Sequence, residues 1–212
     1  AEPVGGNVVQ CLDSTPMLAF QENAVPAIGQ NAKESSGGKD GGRPRVLFLG
    51  NSITLHGPRP EIGWTNNWGM AASSLENDYV HLLEKKILER NRDATFHVKN
   101  VAEDFERKFF NLDLEKDFKA ARDFNADVII MFFGANVDAK YDNMATPPRT
   151  FGDALRALRK YVDPNGKAKV VMSQGYYIRP KLDKEKEAVA REFGDTFVRI
   201  EDIRSRADTH GR

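Results

Sequence analysis

The sequence has little that would support a disulfide, a cysteine-based metal site or a membrane span. Its only cysteine is Cys11, and a single thiol cannot form an intramolecular disulfide or a metal site by itself. The 212 residues contain no apolar run close to the roughly 20 residues that a membrane helix requires. We therefore expect no membrane span, no intramolecular disulfide and no cysteine-based metal site, while the redox compartment stays open.

An excess of charge of one sign is also missing. Lys and Arg together number 31, Asp and Glu together number 31, and the formal net charge is zero. Proteins that bind nucleic acid neutralise runs of phosphates with clustered basic residues, and no such cluster stands out here. Nucleic acid is therefore not an expected partner.

The first residues bear on location only weakly. A start at Ala1-Glu2-Pro3 suits a mature chain left by a signal peptidase, and an arbitrary chain boundary explains it equally well. On the first interpretation the protein is periplasmic or secreted, and a cytoplasmic location stays open.

A polar, glycine-rich segment divides the chain. Residues 28–44 contain four glycines within six positions and no apolar side chain larger than alanine after the first residue, which predicts a linker. Residues 1–27 contain short apolar groups and are predicted to be an N-terminal extension that docks on the main body. Residues 45–212 are long enough for one domain and too short for two ordinary ones.

Within residues 45–212, short apolar runs alternate with amphipathic stretches. This alternation is typical of parallel strands joined by crossover helices. It predicts a three-layer α/β/α sandwich with a five-stranded parallel sheet in the flavodoxin-like order 2-1-3-4-5. The predicted strands are Val46–Gly50, Thr95–Val101, Val128–Phe133, Lys169–Ser173 and Phe197–Ile200. Such sheets bind ligands at the carboxyl ends of their strands, so functional residues should follow each strand.

Polar residues do follow the first and third strands. The first strand ends in Gly50-Asn51-Ser52-Ile53-Thr54, where the glycine permits a sharp turn that presents the serine hydroxyl. The third ends in Phe132–Asp138, where Asn136 can direct its amide at an oxyanion beside Ser52. An ordinary turn and an Asx-turn are the alternative interpretations. Neither a phosphate loop nor a Gly-x-Gly-x-x-Gly dinucleotide fingerprint is present at the first turn.

A serine nucleophile needs a base, and the chain has four histidines. His81 is expected on the solvent side of a helix and His97 within the second strand, so both are predicted to be structural. His56 lies four residues after Ser52 and is predicted to line the pocket. His210 follows the fifth strand and is the better candidate for the base.

Two of these segments resemble the SGNH (GDSL-like) hydrolases. Gly50–Thr54 resembles their first block, with Asn51 in place of the usual aspartate, and Gly134–Asp138 resembles their Gly-x-Asn-Asp block with one residue inserted before the acid. The longer string through Ile62-Gly63-Trp64 and Trp68-Gly69-Met70 is similar to a bacterial subgroup of these enzymes.

The resemblance implies a serine esterase that cleaves a small ester, often an acylated carbohydrate, without a metal or organic cofactor. It implies Ser52 as the nucleophile, with the Asn136 amide and the Ser52 backbone N–H as oxyanion donors. Asp138 is expected to cap its own loop rather than act in the site.

The chain departs from the family pattern in two blocks. The family's second block supplies a glycine amide, but the chain reads Val101–Phe105 there, so the backbone N–H of Phe105 or of a neighbouring residue is the expected donor. The family's last block is Asp-x-x-His, whereas the chain offers Asp208-Thr209-His210 and stops at Arg212. Two hypotheses stay open: His210 is the base, oriented by Asp208, or the base lies beyond Arg212.

Two tryptophans follow the first turn. Trp64 and Trp68 are predicted either to form an aromatic wall of an acyl or sugar pocket or to anchor a long loop to the core.

The sequence as a whole predicts an ester hydrolase that works through an acyl-serine intermediate. The alternative is a non-catalytic ligand- or carbohydrate-binding protein on the same scaffold, because fold alone does not determine function. A receiver-type domain is disfavoured, since it would carry an acidic cluster where this chain has Asn51 and Ser52. The particular substrate and the oligomeric state are not specified by the sequence.

Overall fold

The structure is a computed structural model that describes residues 43–70 and 72–206. The predicted N-terminal extension, residues 28–42 of the predicted linker, Cys11, Asp208 and His210 lie outside the described residues. None of the helices in the described part is long and apolar enough to cross a membrane.

The described chain folds around one parallel sheet. Its five strands lie in the order β2-β1-β3-β4-β5, as predicted. They are β1 (Arg45–Gly50), β2 (Thr95–Asn100), β3 (Val128–Phe132), β4 (Lys169–Ser173) and β5 (Thr196–Val198). In register, Gly50 at the end of β1 lies opposite Asn100 of β2 and Phe132 of β3. The residues that follow these three strands therefore emerge at the same edge of the sheet.

Both faces of the sheet are covered, which explains why its strands are almost continuously apolar. Along β1, Leu47 and Leu49 point to one side and join the larger core, while Val46 and Phe48 point to the other side and join a smaller core. All four side chains are buried.

Helices supply the two outer layers. They are α1 (Tyr79–Arg90), α2 (Leu114–Asp123), α3 (Phe151–Val162), α4 (Pro180–Phe193) and the short α5 (Glu201–Ser205). Val80 of α1 packs in the smaller core, whereas Phe118 of α2, Leu155 of α3 and Leu182 of α4 pack in the larger one. Since α1 lies on one face and α2, α3 and α4 on the other, the fold is the predicted three-layer α/β/α sandwich.

Shorter turns complete the described chain. Three are 3-10 turns, at Pro60–Ile62, Leu75–Asn77 and Ala139–Asn143. One is a π-helical turn, at Ala102–Glu106, directly after β2. Asp138 caps the third 3-10 turn by accepting the backbone N–H of Lys140 at 2.8 Å, the capping role that we expected for it.

Candidate functional site

The turn that follows β1 presents Ser52 and is held by Asn51. The Asn51 carbonyl accepts the N–H groups of Thr54 at 2.9 Å and Leu55 at 3.1 Å, and its side-chain oxygen accepts the N–H of Ile53 at 3.1 Å. Ser52 is half-buried at this turn, and its carbonyl accepts the N–H of Met70 at 2.8 Å. Within residues 43–70 and 72–206, no side chain hydrogen-bonds the Ser52 hydroxyl.

The turn also explains the glycine that precedes it. A Cβ atom added at Gly50 would lie 1.7 Å from the Thr54 hydroxyl oxygen and 2.5 Å from the Thr54 Cβ. Both distances are far inside van der Waals contact, so the chain can fold back over residue 50 only when that residue is glycine.

A buried carboxylate joins the ends of β1, β2 and β3. Glu106, the last residue of the π-helical turn after β2, is 0% exposed. Its Oε1 accepts the side-chain Nδ2 of Asn51 at 3.3 Å and the backbone N–H of Asn136 at 3.3 Å, and also accepts the backbone N–H of Gly134. Its Oε2 accepts the side-chain Nδ2 of Asn136 at 2.6 Å. A carboxylate with this many donors serves as the common attachment point of the three strand ends.

The side-chain amide of Asn136 is oriented from both of its ends. Its Nδ2 donates to Glu106, and its Oδ1 accepts from the Arg107 guanidinium at 3.5 Å. A primary amide carries two N–H groups. Because Glu106 uses one of them, the second can donate to a ligand oxygen.

Lys186 lies beneath the same strand end. This residue of α4 is 1% exposed, and its Nζ donates to the Phe133 carbonyl at 2.7 Å. The Phe133–Gly134 peptide group is therefore held by Lys186 at its carbonyl and by Glu106 at its N–H. Burial lowers the pKa of Lys186 to about 8, and the Asp183 and Glu106 carboxylates oppose that lowering.

A second pair of opposite charges holds the backbone after β4, here at the N–H and the carbonyl of one residue rather than at the two ends of one peptide group. Asp183 of α4 accepts the N–H of Gly175 at 3.3 Å, and the Nε of Arg204 donates to the Gly175 carbonyl at 2.9 Å. Arg204 also pairs with Asp183 at 2.8 Å, which ties α5 to α4. The buried groups Glu106, Lys186, Asp183 and Arg204 thus alternate in sign beneath the ends of β3 and β4.

His56 and the two tryptophans form one cluster after the Ser52 turn. The backbone N–H of His56 donates to the Trp68 carbonyl at 3.0 Å, and the Trp64 indole N–H donates to the His56 carbonyl at 3.1 Å. The two indole rings meet edge to face, with 5.8 Å between centroids. The His56 Nδ1 lies 2.6 Å from the Gly57 carbonyl, so this nitrogen carries a proton. The indole hydrogen bonds anchor the loop, and a role as a pocket wall stays a prediction.

The backbone amide of Phe105 is not directed at Ser52. Its N–H donates to the Val101 carbonyl at 2.9 Å inside the π-helical turn, and its ring is fully buried in the larger core. We therefore do not assign Phe105 a role as an oxyanion donor. The residue of this turn that reaches the site is its neighbour Glu106, which the sequence reasoning missed. No local signal in the sequence distinguishes it, because the stretch after β2 also carries Glu103, Asp104, Arg107 and Lys108.

His81 is buried, so the expectation that it faces solvent was wrong. Its Nδ1 lies 2.8 Å from the Asp78 carboxylate, which also caps α1, and this contact raises the pKa of His81. Burial works to raise the pKa of Asp78, but the hydrogen bonds from His81 outweigh it and lower that pKa. The pair has the Asp-x-x-His spacing, yet the His81 Nε2 is enclosed without a hydrogen-bond partner and so does not contact Ser52. His97 packs on Phe124 with 5.5 Å between ring centroids, consistent with a structural role.

The geometry therefore places Ser52 and Asn136 after neighbouring strands and links them through Asn51 and Glu106. Asp208 and His210 lie outside the described residues, so the structure does not bear on the predicted base. Within the described part of the chain, no cluster of His, Cys, Asp and Glu side chains could hold a metal ion. No family model, curated protein or solved structure matches this chain.

Proposed function

We propose that the protein is a serine hydrolase that cleaves a carboxylic ester through an acyl-serine intermediate. One observation carries the proposal: the residue beside Ser52 and the candidate oxyanion donor Asn136 hydrogen-bond the same buried carboxylate, Glu106. This shared contact fixes the Ser52 turn and Asn136 relative to each other across two neighbouring strands. The resemblance of both segments to the SGNH hydrolases supports the same reaction.

In the proposed reaction, the Ser52 hydroxyl oxygen attacks the ester carbonyl carbon and a base takes its proton. The carbonyl oxygen becomes an oxyanion, which accepts hydrogen bonds from the second N–H of Asn136 Nδ2 and from the Ser52 backbone N–H. The base then protonates the leaving alcohol as the acyl-serine forms, and water hydrolyses the acyl group in a second, equivalent step. His210, oriented by Asp208, is our proposed base.

The proposed substrate is a small ester, with acylated carbohydrates as the favoured class. Support comes from the resemblance and from the half-buried Trp64 and Trp68, which follow the Ser52 turn at the same edge of the sheet. Aromatic rings are common in pockets for acyl and sugar groups.

Hydrolysis of p-nitrophenyl acetate and of an acetylated xylo-oligosaccharide by the full chain tests this proposal. We expect turnover that falls to the uncatalysed rate in Ser52→Ala. Ser173→Ala is the matched control, because Ser173 also ends a strand of the sheet and its hydroxyl is buried without a hydrogen-bond partner. This control should retain turnover within about twofold, since its hydroxyl has no catalytic role. Equal loss in both variants, or turnover that survives in Ser52→Ala, would overturn the proposal.

A second candidate function is the binding of such a ligand without catalysis. It is favoured by the Ser52 hydroxyl, to which no histidine of residues 43–70 and 72–206 is hydrogen-bonded. Saturable binding of the acetylated oligosaccharide by a folded chain that shows no turnover would support this second function.

A further inference from the structure

We propose that Glu106 and Lys186 act together as positioning residues for the oxyanion site, by holding the Phe133–Gly134 peptide group at both ends and aligning the Asn136 amide. This inference rests on the proposed function, because it assigns the two residues a task in the reaction at Ser52. Neither side chain reaches the substrate in this account.

The Phe133–Gly134 peptide group is held by two charged side chains. Lys186 Nζ donates to its carbonyl at 2.7 Å, and Glu106 Oε1 accepts its N–H. A peptide group held at both ends by opposite charges cannot rotate without breaking a charge-assisted hydrogen bond between buried groups. Gly134, the second residue of this peptide group, has φ +129°, a conformation that residues other than glycine rarely adopt. The direction in which the chain leaves β3 toward Asn136 is therefore set by these two charges.

Glu106 also aligns the side-chain amide of Asn136. Glu106 contacts Asn136 twice, through the backbone N–H at 3.3 Å and through the side-chain Nδ2 at 2.6 Å. A carboxylate can only accept at this position, so it selects the rotamer that presents nitrogen rather than oxygen. The second N–H of Nδ2 is then held ready for an oxyanion before substrate arrives, as electrostatic preorganisation requires.

The negative charge of Glu106 is balanced by Lys186. An isolated carboxylate beside a developing oxyanion would oppose the reaction. Lys186 lies on the other side of the shared peptide group and is almost fully buried, so its ammonium offsets the charge of Glu106 locally. Two buried groups of opposite sign give the alignment without a net negative field at Ser52.

Glu106→Gln gives the sharpest test. The glutamine side chain has nearly the shape of the carboxylate, but its nitrogen donates hydrogen bonds. The Asn136 Nδ2, which is also a donor, would then face a second donor. We expect the Asn136 amide to rotate and kcat for p-nitrophenyl acetate to fall by about 10- to 100-fold with KM within about twofold. Lys186→Met removes the carbonyl contact and should lower kcat in the same way. It carries the test if Glu106→Gln fails to fold.

Asp163→Asn is the matched control. Asp163 is also buried and accepts Arg159 Nη1 at 2.8 Å and the Lys167 N–H at 3.0 Å, but it follows α3, before β4 begins. It should lower the urea midpoint as the test variants do while leaving kcat within about twofold, because its contacts do not lead to Asn136. Equal effects on kcat from Asp163→Asn and Glu106→Gln would show a loss of stability alone and overturn the inference.

A second readout does not depend on turnover. In ¹H–¹⁵N spectra of the wild-type chain, we expect the two Asn136 side-chain protons to differ widely in chemical shift, because one of them is bound to a carboxylate. This difference should shrink in Glu106→Gln and persist in Asp163→Asn. An unchanged Asn136 amide in Glu106→Gln would overturn the inference even in an active enzyme. Wild-type chain that shows the expected spectra but no turnover would instead overturn the proposed function and the catalytic task with it, while the alignment of the Asn136 amide by Glu106 would stand.

Discussion

Replacing Asn51 by aspartate should place two carboxylates against each other in the core. Asn51 is 4% exposed and Glu106 is 0% exposed, and the Asn51 Nδ2 lies 3.3 Å from Glu106 Oε1. At that separation and an effective dielectric constant of about 20, two unit charges repel by about 5 kcal/mol. The variant also loses one hydrogen bond, so we expect a loss of about 3–5 kcal/mol in the free energy of unfolding at pH 7.5, after some relaxation.

Two further results follow if repulsion is the cause. The loss should shrink at pH 5, because one proton shared by the two carboxylates removes the repulsion. The double variant Asn51→Asp/Glu106→Gln should recover at least about 2 kcal/mol relative to the sum of the single variants, since the glutamine amide can donate to the new carboxylate.

Urea unfolding at both pH values, followed by circular dichroism, measures all four chains of this cycle. Single-variant losses that add in the double variant, with no pH dependence, would refute the contact between Asn51 and Glu106. The contact also explains why this position holds asparagine, because an aspartate here would face the Glu106 carboxylate.

Two further predictions concern the turn glycine Gly50 and the buried carboxyl of Glu84. Gly50→Ala should lower the free energy of unfolding by about 3 kcal/mol or more and abolish turnover, because its Cβ would meet Thr54. Gly166→Ala is the control: Gly166 has φ +62° with open space around it, so this variant should lose only about 1 kcal/mol and keep turnover. Equal losses of stability in calorimetry would contradict the clash at Gly50. Burial raises the pKa of Glu84 from 4.5 to about 6. The free energy of unfolding is therefore unaffected by this group below pH 4.5, and it falls as the pH rises through 6 and the buried carboxyl ionises. Glu84→Gln should therefore gain up to about 2 kcal/mol over wild type between pH 4.5 and pH 8, and a difference between the two chains that does not change with pH in urea titrations would rule this out.

The sheet could be predicted from the sequence because its strands are buried on both faces. A strand such as β1, with Leu47 and Phe48 pointing to opposite cores, is apolar at consecutive positions and stands out from its surroundings. The ends of the strands were predicted less accurately. β2 and β3 each end one residue earlier than predicted, where the turns of the site begin. The order 2-1-3-4-5 was predicted because it is one of the common orders of doubly wound parallel sheets, and right-handed crossovers are compatible with it.

The polar network beneath the site could not be predicted in the same way. Glu106 and Lys186 belong to residue types that usually lie at the surface, and nothing local in the sequence indicates that both are buried. Their burial depends on three strand ends and α4 meeting at one place, which is a property of the tertiary fold. His81 was misplaced for a related reason, because its ring is drawn inward by Asp78 across one turn of α1.

The most direct test of the central claim is the site at which a serine-reactive fluorophosphonate modifies the full chain. We expect one adduct, located on Ser52 by peptide mass spectrometry. It should form much more slowly in Asn136→Ala, because one oxyanion donor stabilises the transition state by about 3 kcal/mol. Ser52→Ala should carry no adduct. An adduct on another serine, or a folded chain that the probe leaves unmodified, would contradict the account.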